Sequence, residues 1–408
     1  MDILKRLQQE FGDVVAARAA NDSDAVDGVR PQAVAAPRDG AAACALLAWC
    51  GHEKLAIIAR GGGTKIDIGA RPLRFNILIS TEHLNRVIEH DEGNATVTAE
   101  AGIGLEVLNA EVGRRGQFVP LEGAENLDEI CAARATLGGV VATNHSGATK
   151  LKYGAPRDLV VGLHAALSDG RLVKAGAKVV KNVSGYDLNK LFVGSFGTLG
   201  LITQVTLRLR PHDAVRQTRH MACGSWQEAI KISQEILDGA FEPVMLRLCA
   251  NAQGLWLRAA FAGGETAVQS QIERLPGAAA WHEYSTGNPV ADQRQGKASV
   301  QVRATLPLQS VAAWAQKARR EGASSIVWDY GTGVVHACFE QVPDVAALRE
   351  EAVRNGGFVI VECAPTALKT PDFVWGSPRS DFVLMKRLKA KFDPAGICAP
   401  GRFVGGLE

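Results

Sequence analysis

Residues 57–65 constrain the fold more than any other stretch, because an apolar segment ends there in an arginine, three consecutive glycines and a threonine. Glycine has no Cβ, so it adopts positive φ freely and lets successive backbone N–H groups point at one anion. Arg60 and Thr64 add side-chain donors on either side of the glycines. The composition is that of a phosphate-binding loop, but a strand followed by a flexible turn is the simpler interpretation of this stretch alone.

The pattern on both sides of the glycines predicts strands, at residues 55–59 and 75–80. A Walker or Rossmann loop instead opens a helix. Residues 63–65 lack the spacer and trailing hydroxyl residue of a Walker motif, and residues 102–104 lack the third glycine of a Rossmann motif. Neither nucleotide-binding motif is present, so the glycine triplet is predicted to join two strands.

Length and charge exclude several classes of protein. At 408 residues the chain exceeds the usual size of a single core, so two domains are expected. Hydrophobic residues make up 47% and charged residues 22%, a composition typical of a soluble globular protein. The net charge of +2 comes from 45 basic and 43 acidic residues spread along the chain, which argues against a nucleic-acid partner.

The cysteines and the apolar runs indicate the cellular compartment in which the protein is expected. The eight cysteines include no C-x-x-C pair and mostly fall in apolar runs, so they are predicted to be reduced and buried. This argues against an iron–sulfur cluster held by the chain itself, and no metal site is predicted. The first residues form an amphipathic helical pattern, and no apolar run approaches the length of a membrane span. A cytoplasmic protein is expected.

Two further glycine-rich stretches follow, at residues 136–147 and 182–203. In the first, adjacent glycines stand between hydroxyl and amide side chains, which suits close approach to a flat ring or to a second anion. A glycine-rich turn in a packed sheet explains it equally well. However, one half of the chain contains three such stretches, and a flexible turn would have to explain each of them separately.

The second half has a different pattern from residue 212 onward. Twice, a pair of hairpin-like strands is accompanied by helices with one apolar stripe, which predicts an antiparallel sheet with helices on one face. Ser225 and Glu228 have the spacing of a capping box, so a helix is predicted to begin there. The polar residues 292–296 are predicted to form an exposed loop.

Taken together, these stretches resemble the FAD-binding half of the vanillyl-alcohol oxidase type of flavoprotein, with its PCMH-type FAD domain. The matching residues occur in the family's order between residues 30 and 211: Arg60-Gly61-Gly62-Gly63-Thr64, Thr136-Leu137-Gly138-Gly139, Asn144, Gly147, Tyr153-Gly154, Asp158, Gly185-Tyr186-Asp187-Leu188, Gly194 and residues 197–203. Residues 391–402 resemble the family's C-terminal return segment. The whole chain is similar to the E-type FAD-binding subunits of bacterial glycolate oxidase (glycolate dehydrogenase) complexes.

The resemblance implies an α+β fold with three parts. A two-lobed PCMH-type FAD-binding domain is expected over residues 1–211. A cap domain, an antiparallel sheet covered by helices on one face, is expected over residues 212–375. Residues 376–408 are expected to return to the FAD domain.

The resemblance also assigns residues to the cofactor. The family's pyrophosphate loop falls on Arg60, Gly61, Gly62, Gly63 and Thr64, and its flavin-facing loop on Thr136, Gly138 and Gly139, with Asn144 and Gly147 nearby. Adenine and ribityl contacts fall near Gly197 and Ile202. Relatives with covalent flavin carry a histidine in the first loop, where this chain has Thr64. Non-covalent FAD is therefore expected.

Three functions stay open at this point. The resemblance implies an FAD subunit of a 2-hydroxy-acid (glycolate) dehydrogenase, with a paralogous FAD subunit and an iron–sulfur subunit as partners and association with the inner face of the membrane through them. A non-catalytic or electron-relay flavin subunit is the second. The third is a stand-alone FAD oxidoreductase such as a D-lactate dehydrogenase. The short length and residues 185–188 favour the first over the third.

No catalytic residue is assigned. Metal-using relatives carry a Gly-Asp-Gly-Asn-x-His segment in the cap, and the nearest match, residues 331–336, lacks the acid and the amide. His336 is therefore interpreted as a core or edge histidine. Arg247 and Arg258 suit a carboxylate, but a solvated face of the sheet is the preferred interpretation. His145 falls near the flavin, at a position with no catalytic role in the family, and residues 328–330 are interpreted as strand packing.

Overall fold

The computed structural model describes residues 2–122, 133–176, 187–284 and 299–408. Gly185, Tyr186 and Cys131 lie outside the described residues, as does the loop predicted at residues 292–296.

The first part of the chain alternates short strands with helices. Its strands are β1 (Val15–Ala19), β2 (Ala33–Pro37), β3 (Ile57–Arg60), β4 (Ile77–Ser80), β5 (Val87–Asp91), β6 (Thr96–Glu100), β7 (Gln117–Phe118), β8 (Val160–Ala166), β9 (Leu172–Gly176), β10 (Leu201–Arg208) and β11 (Arg210–Pro211). Its helices are α1 (Ile3–Phe11), α2 (Gly40–His52), α3 (Leu105–Gly113), α4 (Leu137–Thr143), α5 (Lys150–Tyr153), α6 (Pro156–Leu159) and α7 (Asn189–Phe192).

These strands form two main sheets. The four-stranded sheet has the order β1-β2-β4-β3, in which β3 and β4 are parallel neighbours. The glycine triplet therefore begins the connection between two adjacent parallel strands, as the sequence predicts. The five-stranded sheet, β5-β6-β10-β8-β9, is antiparallel, and its core includes the apolar stripe of α3. Strand β7 pairs with β11, the last strand of the first part of the chain.

The second part builds one large antiparallel sheet in the order β15-β12-β14-β13-β17-β18-β16-β19. Its strands are β12 (Val215–Cys223), β13 (Met245–Asn251), β14 (Gly254–Gly263), β15 (His282–Glu283), β16 (Val300–Thr305), β17 (Ala323–Asp329), β18 (Val334–Phe339) and β19 (Phe358–Cys363). The helices are α8 (Trp226–Asp238), α9 (Glu265–Glu273), α10 (Val311–Arg320), α11 (Val345–Arg354), α12 (Pro371–Trp375) and α13 (Phe382–Phe392).

Alternation along these strands decides which face the helices cover. Every second residue, such as Leu246 and Leu248 on β13, joins one core with residues of α8, α9, α10 and α11. The opposite face packs against the first part of the chain through Met245, which lies with Ala148 in a separate cluster. The α+β class and the antiparallel sheet with helices on one face are therefore confirmed. The domain boundaries at residues 211 and 375 stay a prediction.

The start of α8 follows its sequence signal. Ser225 Oγ accepts a hydrogen bond from the Glu228 backbone N–H at 3.2 Å, as a capping box requires. The Glu228 carboxylate accepts from the N–H of Gly224, one residue earlier than the motif predicts. The elements that the sequence did not predict include β12, and α4, where the sequence suggested a loop.

The C-terminal residues contact the first part of the chain. Cys398 forms a parallel bridge with Ile57 at the edge of β3. Lys389 of α13 is buried, pairs with Asp393 at 2.6 Å and donates to the Thr198 carbonyl at 2.9 Å. These contacts fix residues 389–398 beside the strand that leads into the glycine triplet.

Candidate cofactor and substrate site

A deep cleft opens where β3 ends, and we call it the cofactor cleft. It contains about 980 Å³ of empty space, which includes space open to solvent. It is bounded by the glycine triplet, the start of α4, the start of β10 and residues near the carboxyl end of the chain. Its lining includes most residues that the sequence assigns to the cofactor: Arg60, Gly61, Gly62, Gly63, Thr64, Thr136, Gly138, Gly139, Gly197 and Ile202.

Two residues of the glycine triplet, Gly61 and Gly62, are packed too closely for any side chain. A Cβ on Gly62 would lie 1.6 Å from the Arg134 carbonyl oxygen, and one on Gly61 would lie 2.0 Å from Thr136 Oγ1. Gly63 has a φ of +76°, which favours glycine. The triplet therefore exposes bare backbone to the cleft, an arrangement that suits a diphosphate. The glycines are required by close packing and not only by a turn.

Helix α4 corrects the prediction of a second loop. Thr136 caps it, with Oγ1 accepting from the Gly139 N–H at 3.4 Å. A Cβ on Gly138 would lie 2.6 Å from the Ala101 Cβ, so the glycine is needed where α4 crosses the chain after β6. Adjacent glycines disfavour a helix, which is why the sequence pattern suggested a loop. Here tertiary contact overrides that local preference.

Arg60 lines the cleft, but both of its terminal nitrogens are engaged elsewhere. Nη2 donates to Asp24 Oδ1 at 2.8 Å, and Nη1 donates to the Ser23 carbonyl at 3.5 Å. Asp24 is buried and also accepts two hydrogen bonds from Arg18. These bonds from Arg18, with those from the Asn21 N–H and Arg60, hold the pKa of Asp24 well below its usual range.

A buried cluster of three charged residues fixes the chain that follows Thr64. Asp27 contacts the Lys369 ammonium and accepts from Arg402 Nη1 at 3.0 Å. Arg402 Nη2 donates to the carbonyls of Ile66 and Ile68 at 2.6 and 3.0 Å. Burial lowers the pKa of Arg402, and the contact with Asp27 opposes that shift. Sequence reasoning missed this cluster, since its members come from distant parts of the chain.

Three aromatic side chains line another side of the cofactor cleft. Phe196 lies 5.1 Å from Trp375 and 5.7 Å from Phe403, measured between ring centroids. Phe196 has a φ of 53°, an uncommon conformation for a residue other than glycine. No pattern in the sequence signals this group, because the three aromatics are brought together by the return of the C-terminal residues.

A second, smaller cleft borders the first, and we call it the junction cleft. It contains about 310 Å³ of empty space and shares Ile68, Thr143 and Phe196 with the cofactor cleft. The side formed by the first part of the chain carries Asn144, His145 and Ser146, and the side formed by the large sheet carries Arg303, Val334 and Glu362.

Glu362 is the centre of charge beside the junction cleft. It accepts from Arg303 Nε at 3.0 Å and contacts His336 Nδ1 at 3.3 Å. Burial alone would raise the pKa of Glu362, but His336, Lys65 and Arg303 together hold it well below the usual range. The carboxylate is therefore ionised. Burial, followed by the nearby Arg303 charge, lowers the pKa of Lys150 on α5.

Asn144 and Gly147 lie outside the lining of the cofactor cleft. Asn144 ends α4 in the left-handed conformation, with φ 48° and ψ 39°, and its Oδ1 accepts from the Arg157 N–H at 3.3 Å. The Gly147 carbonyl accepts from the Lys150 N–H at 3.3 Å. Asn144 thus belongs to the junction cleft, and Gly147 precedes α5.

The preferred interpretation of Arg247 and Arg258 was wrong, because neither lies on a solvated face. Arg247 is 1% exposed and Arg258 is 8% exposed, on the face of the large sheet opposite its helices. Arg247 Nε donates to Asp329 at 2.6 Å, and the Arg258 guanidinium lies 3.9 Å from the Tyr284 ring centroid. The sequence correctly predicted that side chains alternate between the two faces of these strands. It does not show that the face opposite the helices is also covered.

His336 is buried in β18, which agrees with its interpretation as a core or edge histidine. Trp328 and Tyr330 pack in the core beneath α8, α9, α10 and α11, which confirms their interpretation as strand packing.

Within the ranges that the structure describes, no group of three His, Cys, Asp or Glu side chains is placed to hold a metal ion. Among the helices in those ranges, none combines the length and apolar character needed to cross a membrane.

Comparison with known proteins finds similarity to FAD-binding proteins. Residues 31–176 match the model of a family described as an FAD binding domain. The chain is 35% identical over 213 residues to the glycolate oxidase subunit GlcD of Bacillus subtilis, covering 52% of this chain and 44% of that one. It is 40% identical over 179 residues to the D-lactate dehydrogenase of Archaeoglobus fulgidus, covering 44% and 38% of the two chains. It thus spans less than half the length of these two relatives.

One solved structure of similar fold is an alkyldihydroxyacetonephosphate synthase. It superposes with a TM-score of 0.67 at 17% identity, covering 91% of this chain and 77% of that one. The matched domain agrees with the bare glycine backbone of the cofactor cleft, which leaves room for a diphosphate. Residues 31–176 match an FAD binding domain, and this match supports FAD as the cofactor.

Proposed function

We propose that the chain is the E-type FAD-binding component of a 2-hydroxy-acid (glycolate) dehydrogenase complex. In this proposal it oxidises glycolate to glyoxylate and passes electrons to a partner iron–sulfur protein. The names of the relatives support a 2-hydroxy acid as substrate, and GlcD is itself named as part of a glycolate oxidase. The observation that carries the proposal is the junction cleft, because its small charged space borders the cofactor cleft at Ile68, Thr143 and Phe196.

Arg303 is the residue that we assign to the substrate carboxylate. Its Nε is held by Glu362, and its two terminal amino groups have no hydrogen-bond partner among the described residues. A guanidinium fixed in this way presents two parallel donors, the arrangement that a carboxylate accepts. Lys65 and Lys150 add positive charge near Glu362 and Arg303 respectively. The surplus of cations favours an anionic ligand.

Bound FAD supplies the acceptor for the hydride that a 2-hydroxy acid loses. The protein has to manage the hydroxyl proton. The Glu362 carboxylate lies 3.3 Å from His336 Nδ1, so the two groups are close enough to share a proton. This pair can hold a proton beside the junction cleft. Both side chains are buried, so water has little access to the pair.

A non-catalytic or electron-relay subunit is the second candidate. It is favoured by the way the polar groups near the junction cleft satisfy one another: Glu362 by Arg303 and His336, and Asp329 by Arg247. In that case a paralogous flavin subunit performs the chemistry. A stand-alone FAD oxidoreductase, such as a D-lactate dehydrogenase, is the third.

Flavin reduction in the isolated chain separates these functions. Under anaerobic conditions, glycolate or D-lactate is expected to bleach the flavin absorbance of the full-length protein. The variant Arg303→Gln should raise the concentration of acid needed for half-maximal rate by about tenfold to a hundredfold, because a charge-assisted pair is lost. The exposed Arg354→Gln on α11 is the matched control.

Rapid bleaching without partners would exclude the relay function. Bleaching only after a paralogous flavin subunit is added would exclude catalysis by this chain. Equal kinetics of Arg303→Gln and wild type would contradict the assignment of Arg303.

The flavin is expected to be released when the protein is precipitated with acid. Thr64, on the cofactor cleft, stands where relatives with covalent flavin carry a histidine, and its hydroxyl is not a group for that linkage. The measurement is flavin absorbance in the supernatant and pellet. Yellow colour that stays with the washed pellet would contradict non-covalent binding.

A further inference from the structure

Three arginines lie around the glycine triplet, and they differ in what their guanidinium groups contact. Arg60 ends β3, Arg402 comes from the C-terminal residues, and Arg134 lies two residues before the cap of α4. A diphosphate carries negative charge that backbone N–H groups alone compensate only in part, so a cation beside the loop matters for affinity.

Arg60 and Arg402 are both committed to the protein. The terminal nitrogens of Arg60 donate to Asp24 and to the Ser23 carbonyl. Those of Arg402 donate to Asp27 and to the carbonyls of Ile66 and Ile68. Turning either guanidinium toward a ligand would remove one of the two cations that pair with a buried carboxylate, Asp24 or Asp27, which is unfavourable.

Arg134 is held differently, because its backbone is fixed and its side chain is exposed. Its carbonyl oxygen packs directly against Gly62, as the 1.6 Å distance to a Cβ placed there demonstrates. The Nη2 atom lies 3.8 Å from the position of a Cβ on Gly63, on the rim of the cofactor cleft. Within the described ranges no carboxylate or carbonyl binds this guanidinium.

We propose that Arg134 closes over the glycine triplet and binds the diphosphate of FAD. The Arg134 carbonyl packs against Gly62 and fixes the position of the residue. Its guanidinium donors lie beside Gly63, at the rim of the cofactor cleft. The residue thus supplies the mobile positive charge, whereas Arg60 and Arg402 shape the loop and the chain after it. The proposal rests on the FAD binding domain alone and not on the substrate of the enzyme.

The test is the rate at which flavin leaves the full-length protein, followed by the rise of flavin fluorescence on dilution. Arg134→Gln is expected to release FAD about tenfold faster or more, since a charge-assisted bond is lost. Arg134→Lys should recover part of the loss because it keeps the charge. Arg114→Gln, at the residue that follows α3, is the matched control and should behave as wild type, because its side chain is 74% exposed.

Two flavin fragments separate a phosphate contact from a general structural effect. ADP carries the diphosphate, and riboflavin carries the ring without phosphate. Arg134→Gln should weaken competition by ADP for the flavin-free protein by the same factor as FAD, and leave binding of riboflavin unchanged. FAD release within about twofold of wild type would overturn the proposal. An equal loss for ADP and riboflavin would also overturn it, because the role would then be structural.

Discussion

Gly62→Ala is expected to lower the affinity for FAD by roughly a hundredfold or more. The new Cβ would lie 1.6 Å from the Arg134 carbonyl oxygen, so residues 134–136 must move away from the triplet. Overpacking of this kind costs about 1 to 3 kcal/mol, and more when backbone is displaced. A loss of about 3 kcal/mol corresponds to roughly a hundredfold in dissociation constant. The displacement also moves Thr136, which caps α4 on the wall of the cofactor cleft.

The measurement is the dissociation constant for FAD, obtained by titrating flavin into the flavin-free protein and following fluorescence. Gly113→Ala is the matched control, because a Cβ at Gly113, the last residue of α3, meets no atom within 4 Å. It should bind FAD as wild type does. An alanine at Gly62 that leaves FAD affinity unchanged would contradict the close packing described for the triplet.

Asp27→Asn is expected to destabilise the whole protein by about 3 to 5 kcal/mol, the range for removing one partner of a buried ion pair. The Asp27 side chain is 3% exposed and contacts both Lys369 and Arg402, which are 4% and 8% exposed. Asparagine would leave both cations buried without a carboxylate in direct contact among the described residues. Arg402 would also lose its orientation toward Ile66 and Ile68, so FAD affinity should fall as well.

Urea unfolding followed by tryptophan fluorescence, with and without FAD, measures this effect. Asp22→Asn is the matched control, because the Asp22 carboxylate is 98% exposed and its pair with Arg30 is a surface pair. It should change the free energy of unfolding by no more than about 1 kcal/mol. If Asp27→Asn behaves like Asp22→Asn, the cluster does not stabilise the fold.

The elements of this fold were mostly predictable because their signals are local. Leu105, Leu108 and Val112 recur at helical spacing and form the buried face of α3. The large sheet was predictable for the same reason, since strand alternation and helical stripes are properties of neighbouring residues. Helix α4 was not predictable, because Gly138 lowers helical propensity and its close contact with Ala101 is not visible in the sequence.

The charged residues were the least predictable part of the site. Arg247 and Arg258 alternate with apolar residues as a solvated face would, yet that face is covered. The first part of the chain packs there beside Met245, and Tyr284 lies over Arg258. Arg60 has the position of a phosphate donor in the sequence, but Asp24 engages its guanidinium. Neither partner can be identified from a pattern, because Arg60 is separated from Asp24 by 36 residues and Arg247 from Asp329 by 82 residues.

The sequence by itself determined that a glycine triplet joins two strands, that three glycine-rich stretches precede a large antiparallel sheet, and that the chain resembles FAD-binding proteins. These conclusions depend on backbone freedom and on periodicity, which neighbouring residues decide. Only the tertiary structure decided which cations are free to meet a ligand. Lys369 and Arg402 reach Asp27 across 342 and 375 residues, and charge pairing depends on distances in space that the order of residues does not contain.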